Sequence, residues 1–308
     1  MSRRAAVVRF VVLAAIWGSS FLLMKVAVQG LSPVQITAGR LLFGALVLTA
    51  IMLVGRRAWP RDPRLLARIG LLSVLLCVVP FFLFGWAAQH LPSGISSIFN
   101  ATTPIMTLLV GIVALPTERL TRDRVAGFVL ALLGVLVVAG PWRIDLSQGG
   151  SLLVLGQLAC LGATFCYGLG AVLSRRLLRG SDIDSRTLAA TQISIGAVLA
   201  LALAGAVGRT PMTLTAPVVI SIVVLGAVGT GLAYIWFNDI IRAWGAPLAT
   251  SVTYLTPVVG VVLGALVLAE EVHWNEGVGA VVVIAGILLT QGVLSRRRAH
   301  HPVAAAPQ

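Results

Sequence analysis

Long apolar runs, each closed by a few polar or charged residues, recur along the chain. Ten can be traced, at residues 7–28, 34–54, 66–89, 93–115, 124–141, 150–174, 187–207, 216–242, 246–268 and 277–294. Runs of about 18–25 residues match, as helices, a hydrocarbon layer of ~30 Å. The connections between them are short, so the pattern predicts a compact all-α bundle with no separate soluble domain. Two runs are interrupted near their centres, by Asn100-Ala101-Thr102-Thr103-Pro104 and by Thr253-Tyr254-Leu255-Thr256-Pro257. Proline has no backbone N–H and clashes with the carbonyl four residues back. The carbonyls of Asn100 and Thr253 are therefore expected to lack helical donors. Such a break is tolerated in a bilayer only where protein or a water-filled cavity satisfies the freed group.

Composition turns this pattern into a class. The chain has 308 residues, 58% hydrophobic and 11% charged, against roughly 25% charged in soluble domains. This is the composition of an integral membrane protein. The net charge of +13 does not indicate nucleic acid, which requires a basic face with exposed aromatics. The arginines instead form short clusters between apolar runs, where they report topology. With the N-terminus inside, the inner loops hold Arg3, Arg4, Arg9, Arg56, Arg57, Arg61, Arg64, Arg68, Arg119, Arg122, Arg124, Arg175, Arg176, Arg179, Arg186, Arg242, Arg296, Arg297 and Arg298, 19 of the 23 basic residues. Lys25, Arg143 and Arg209 fall outside, and Arg40 lies within the second run. Both termini are expected in the cytoplasm, with residues 299–308 as a disordered tail and the plasma or inner membrane as location. The first run continues past the 7–15 residues of a signal-peptide core, so it reads as a retained span. Cys77, Cys160 and Cys166 all lie in apolar runs and are expected as free thiols.

The chain also repeats itself. Thr103-Pro104 matches Thr256-Pro257 at an offset of 153; Glu118, Gly127 and Gly134 match Glu270, Gly279 and Gly286 at 152. Gly44 and Gly196 agree at 152, and Trp17-Gly18 aligns with Tyr167-Gly168 at 150. A five-span unit is odd-numbered, so its second copy enters the membrane from the opposite side. Two inverted repeats are predicted, residues 1–145 and 146–298, related by an axis in the membrane plane. Interrupted segments at matching positions of two such halves point to a transporter's binding site.

Ten spans in two repeats, the early Trp17-Gly18-Ser19-Ser20-Phe21 and the Thr103-Pro104 of span four together resemble the drug/metabolite transporter superfamily, and within it the EamA branch. Glu118-Arg119-Leu120-Thr121 through Gly134 resembles the end of one EamA domain, and Glu270 through Gly286 the end of another. The second copy departs from the first, with Val272-His273-Trp274 in place of Arg119-Leu120-Thr121. The resemblance implies alternating-access transport of small metabolites, often export of amino acids or related compounds.

Candidate cavity-lining residues follow from polar groups inside apolar runs. Span four offers Asn100, Thr103 and Pro104, and span nine offers Thr253 and Pro257, each on one helical stripe. Span eight carries Tyr234 and Asn238, and spans one and six supply Trp17, Ser20 and Tyr167. The competing structural reading is that small residues permit close helix approach and that Ser and Thr bond their own backbone. Ionisable residues within spans are functional candidates by default: Arg40, counted near the outer surface, and Asp239, whose alternative is a local pair with Arg242. Glu118, Glu270 and His273 lie in interfacial loops, as solvated groups, helix-end partners or gates.

Competing activities find little in the residues. A membrane-embedded enzyme needs clustered carboxylates or a His-rich metal set, and the adjacent histidines, His300-His301, lie in the tail. The phosphate-binding signature GxxxxGK[ST] does not occur, and no cofactor or metal is expected. A passive channel stays open as an alternative. The expected partners are a small-molecule substrate and the lipid bilayer; monomer and homodimer are both compatible with the sequence.

Overall fold

The computed structural model describes residues 3–114, 121–143, 150–208, 210–244 and 251–291. Helices account for each of the predicted runs, and no strand occurs among the described residues. They are α1 (Arg3–Ala27), α2 (Pro33–Val54), α3 (Pro63–Ala87), α4 (Ser93–Ala114), α5 (Arg122–Ala139), α6 (Gly150–Leu177), α7 (Ser185–Val207), α8 (residues 216–244), α9 (Val252–Leu268) and α10 (Trp274–Thr290). Seven of these, α1–α4 and α6–α8, are long and apolar enough to cross a membrane. Helices α9 and α10 are apolar but shorter, and α5 carries Arg122, Asp123 and Arg124 in its first turn.

Local chemistry fixes the helix ends. Asp62, Thr121 and Asp184 cap α3, α5 and α7 by accepting bonds from the backbone N–H groups of Arg64, of Arg124, and of Arg186 and Thr187, as N-cap residues do. Pro33 and Pro63 open α2 and α3, where a missing N–H costs nothing. Helices α3 and α8 each contain one π-turn, Val74–Val78 and Ala227–Leu232. A π-turn accommodates one extra residue in an α-helix, and the two lie 153 residues apart. In the second, Thr230 Oγ1 donates to the Leu225 carbonyl five residues back at 3.2 Å.

The interrupted helices satisfy their freed carbonyls from within the protein. Helix α4 breaks between Asn100 and Thr103, and α9 passes from a 3₁₀ turn (Ser251–Tyr254) into Thr256–Leu268. The carbonyls of Asn100 and Thr253 are not bare: Thr103 Oγ1 donates to the first at 2.7 Å and Thr256 Oγ1 to the second at 2.8 Å. Each threonine supplies the donor that its neighbouring proline removes.

Helix packing follows the duplicated order. Helix α1 packs on α8 and α9, while α6 packs on α3 and α4; α2 packs on α7, α4 on α9 and α5 on α10. Gly18 of α1 lies so close to α9 that a Cβ there would sit 2.5 Å from Val259 Cβ and 3.0 Å from the Thr256 carbonyl oxygen. Gly168 of α6 meets α4 likewise, 2.7 Å from the Met106 carbonyl carbon and the Thr107 nitrogen. The two glycines are notches that seat the broken helix of the other half.

The α5–α10 seam is closer still. Cβ atoms added at Gly127, Gly134, Gly279 and Gly286 would all meet opposing backbone atoms at 2.5–2.8 Å. The largest apolar cluster joins Phe21, Met24, Phe84, Ile98 and Phe99 with Leu225, so it spans both halves. The three cysteines are free; Cys160 is buried in that cluster and Cys77 in a second one with Leu41, Phe81 and Ile193.

Candidate functional site

Polar side chains gather where α2 and α7 meet the π-turns of α8 and α3. Arg40, on α2, is only 8% exposed. Its Nε donates to Thr230 Oγ1 at 3.0 Å, its Nη1 lies 4.0 Å from Met24 Sδ, and its guanidinium carbon sits 3.8 Å from the centre of the Phe81 ring. Among the described residues, the electrostatic neighbours of Arg40 are Tyr167, Tyr234 and Cys77, with no carboxylate. Gln192, on α7, donates from Nε2 to Cys77 Sγ at 3.3 Å, and the Tyr234 hydroxyl pairs with the same thiol.

These contacts obey the repeat. At offset 152 Arg40 corresponds to Gln192, and at 153 Cys77 corresponds to Thr230 and Phe81 to Tyr234. Arg40–Thr230 and Gln192–Cys77 are thus one contact made twice, each joining the second helix of one half to the third helix of the other. The chemistry differs: one copy holds a cation over an aromatic ring, the other a neutral amide beside a thiol.

The other candidates are spread along the bundle. Ser20 is buried and donates to the Ile16 carbonyl at 3.0 Å, with its hydroxyl facing Gly229 of the α8 π-turn. Trp17 packs against Phe237 with ring centres 5.2 Å apart. Asn100, Thr103 and Pro104 lie half-buried at the α4 break, and there Thr102 Oγ1 bonds Thr164 Oγ1 of α6 at 3.2 Å. Thr253 is half-buried and Pro257 buried at the α9 break, against α1. The side chain of Asn238 falls outside the described residues, as do Glu118 and the side chain of Arg242.

Arg40, counted near the outer surface of the bilayer, is buried within the protein beside Thr230, Met24 and Phe81; at that end of α2, Gln35 Nε2 donates to the carbonyls of Gly208 and Thr210. Asp239 is not confined to a local pair: it reaches Arg9 of α1 and Arg186 of α7, the latter at 3.6 Å.

The two ends of the bundle differ in charge. At the end holding Asp239, Arg57 pairs with Asp184 at 2.8 Å and Arg68 donates to the Leu177 carbonyl. Asp184 is pushed up by desolvation, but bonds from the Thr187 hydroxyl and the Thr187 and Arg186 amides, aided by Arg57, leave its carboxyl below the ordinary range. The opposite end is poor in arginine. There Lys25 Nζ donates to the carbonyls of Ala88 and Leu91, both at 2.9 Å. Glu270 is a helix-end partner: its carboxylate accepts from the Ser93 amide at 2.8 Å, the Ser93 hydroxyl at 2.8 Å and the Gly94 amide at 3.3 Å. Ala269, at φ +53°, turns the chain back so that Glu270 caps α4. Beside this clasp lies a cavity of about 250 Å³ lined by Pro92, Gln157, Glu270, His273 and Glu276, among others. Among the described residues no group of three or more His, Cys, Asp or Glu is arranged to hold a metal ion.

Apolar helices around a polar, partly charged interior define a helical membrane protein. The EamA-like transporter family model matches residues 5–140 and again residues 154–291, and the chain belongs to that family. It is similar to a protein of Escherichia coli (strain K12) named as a probable amino-acid metabolite efflux pump, 25% identical and covering 97% of this chain and 98% of that one. It is also similar to an uncharacterized inner membrane transporter of the same strain, YedA, 27% identical over 90% of this chain and 88% of the relative. A solved crystal structure, 21% identical, superposes over 96% of this chain and all of the other with a TM-score of 0.68 and carries the same fold. The protein is a membrane transporter.

Sequence reasoning did not single out Gln192, Phe81 or Met24 as members of the central cluster. A signal for Gln192 existed: the 152 offset that relates Gly44 to Gly196 also takes Arg40 to Gln192.

Proposed function

We propose that the protein is an alternating-access transporter that exports small metabolites, amino acids or related compounds, across the plasma membrane. In this reading the ten helices are ten spans in two inverted five-helix repeats, residues 1–145 and 146–298. The arginine-rich end and both termini are cytoplasmic, and residues 299–308 form a cytoplasmic tail. The observation that carries it is the duplicated contact at the centre, Arg40–Thr230 and Gln192–Cys77. Both bonds cross between halves, so relative movement of the halves rearranges both together. The seated breaks at Thr103-Pro104 and Thr256-Pro257 support the same reading, each held by a glycine notch of the other half. Placing arginine clusters on the cytoplasmic side agrees with the positive-inside rule, and the names of the relatives supply the substrate class.

Counterflow in proteoliposomes tests this. Labelled amino acids should accumulate transiently in vesicles preloaded with the unlabelled compound, because a carrier returns loaded faster than empty. Leakage without acceleration would identify a channel instead. Asn100→Ala and Tyr234→Ala should each alter the kinetics in protein that still purifies as a folded species; wild-type kinetics in both would remove these residues from the path.

A further inference from the structure

We infer that Arg40 anchors the carboxylate of the transported solute; this rests on the transport reading above and narrows it to monoanionic organic acids and amino acids. A guanidinium carries five N–H donors in a planar fork. At Arg40 one is taken by Thr230 and one faces the weak thioether acceptor of Met24. The guanidinium carbon lies 3.8 Å from the centre of the Phe81 ring, and the planar fork of a guanidinium is suited to two parallel bonds to a carboxylate. A buried cation is retained only where something compensates it, and among the described residues the polar groups around Arg40 are the Thr230 hydroxyl, the Met24 thioether, two phenols and a thiol, none of them a carboxylate. The Tyr167 and Tyr234 hydroxyls can donate as well as accept, so an anion brought to Arg40 would find further donors beside it.

Packing does not require the charge. The equivalent position in the other half is filled by Gln192, which makes the same cross-half contact without it. The amount of charge restricts the ligand further. Lys25 is committed to the carbonyls of Ala88 and Leu91, and Arg9 and Arg186 to Asp239. One guanidinium matches one negative charge, which favours a carboxylate over a phosphate dianion.

The test compares acid with amide on purified full-length protein in proteoliposomes. Counterflow of radiolabelled L-leucine, L-phenylalanine and L-threonine is measured against unlabelled competitors, each amino acid beside its primary amide. For wild type the acid should compete at least tenfold better than the amide. Arg40→Gln, which copies the residue of the other half, should reduce that ratio below twofold, and Arg40→Lys should restore part of it. A merely structural role would lower the amount of active protein without changing the ratio. Equal competition by amide and acid in wild type, or an unchanged ratio in Arg40→Gln, overturns the anchor and leaves the transporter standing. If Arg40→Gln does not fold, the wild-type ratio alone decides. Absence of counterflow for all three amino acids with wild type sinks the amino-acid transport reading itself, and the anchor with it.

Discussion

Substitution at the α5–α10 seam should weaken the fold in a way that side-chain polarity does not predict. Consider Gly134→Ala. Its new Cβ would stand 2.6 Å from the Val283 nitrogen, 2.8 Å from Val283 Cγ2 and 3.0 Å from the Gly279 carbonyl oxygen. Backbone atoms cannot rotate away, so the helices must separate by roughly 0.8 Å to restore ordinary contact. A gap of that size forfeits about a quarter to a half of the dispersion well for each atom pair along the seam, and overpacking of this kind costs about 1–3 kcal/mol. Replacing a helix-interior glycine by alanine returns up to ~1 kcal/mol through propensity. The net expectation is a loss of up to roughly 2 kcal/mol. Gly205, where an added Cβ meets nothing within 4 Å, isolates the propensity gain: Gly205→Ala should be neutral or slightly stabilising. Gly279→Ala faces Gly134 across the same gap, so the double substitution should cost less than the sum of the singles, because one separation relieves both clashes. The assay is the thermal midpoint in detergent, followed by retention of the monodisperse species after heating. A Gly134→Ala protein that melts at or above wild type, with Gly205→Ala behaving as stated, would refute the close-contact reasoning.

Three further outcomes are expected. Thr103→Val and Thr256→Val keep side-chain shape but remove the hydroxyls that cap the Asn100 and Thr253 carbonyls; each should cost about 1–3 kcal/mol, whereas Thr→Ser at either site should be nearly neutral in the same melting assay. Glu270→Ala removes the cap from the start of α4 and should cost ~1 kcal/mol, with faster hydrogen exchange at Ser93 and Gly94 as its local signature; unchanged exchange there would contradict the clasp. Asp184 has a folded pKa below its ordinary value. Its contribution is therefore present above the unfolded carboxylate range and is lost as pH falls through the lower folded value. Asp184→Asn should flatten that acid limb of the stability curve while costing less at the lowest pH, and parallel wild-type and variant curves would refute the assignment.

Much of the architecture was legible because apolar runs and proline breaks are local features. The offsets of 150–153 were legible too, since they need only identity at a spacing. What escaped depends on tertiary neighbours. The burial of Arg40 among Thr230, Met24 and Phe81 could not be read from its position in the run, because those partners come from three other helices. Asp239 was weighed against Arg242, its neighbour in sequence, while packing brings Arg9 and Arg186 from two other helices. The Asn100 and Thr253 carbonyls were expected to need a donor other than the helical N–H. A threonine rotamer, which no spacing encodes, supplies it from within.

The π-turns carry a chronology. An extra residue in a helix is an insertion, and here the same insertion stands in α3 and in α8, 153 residues apart. Two copies at matching places are most simply inherited from one, so the turn was already present in the five-helix ancestor before the chain doubled. The threonine clamps and the glycine notches share that age. Arg40 opposite Gln192, Cys77 opposite Thr230 and Phe81 opposite Tyr234 are younger, the divergence that gave one half a charge the other lacks. A single-repeat relative with an unbroken third helix would reverse that order.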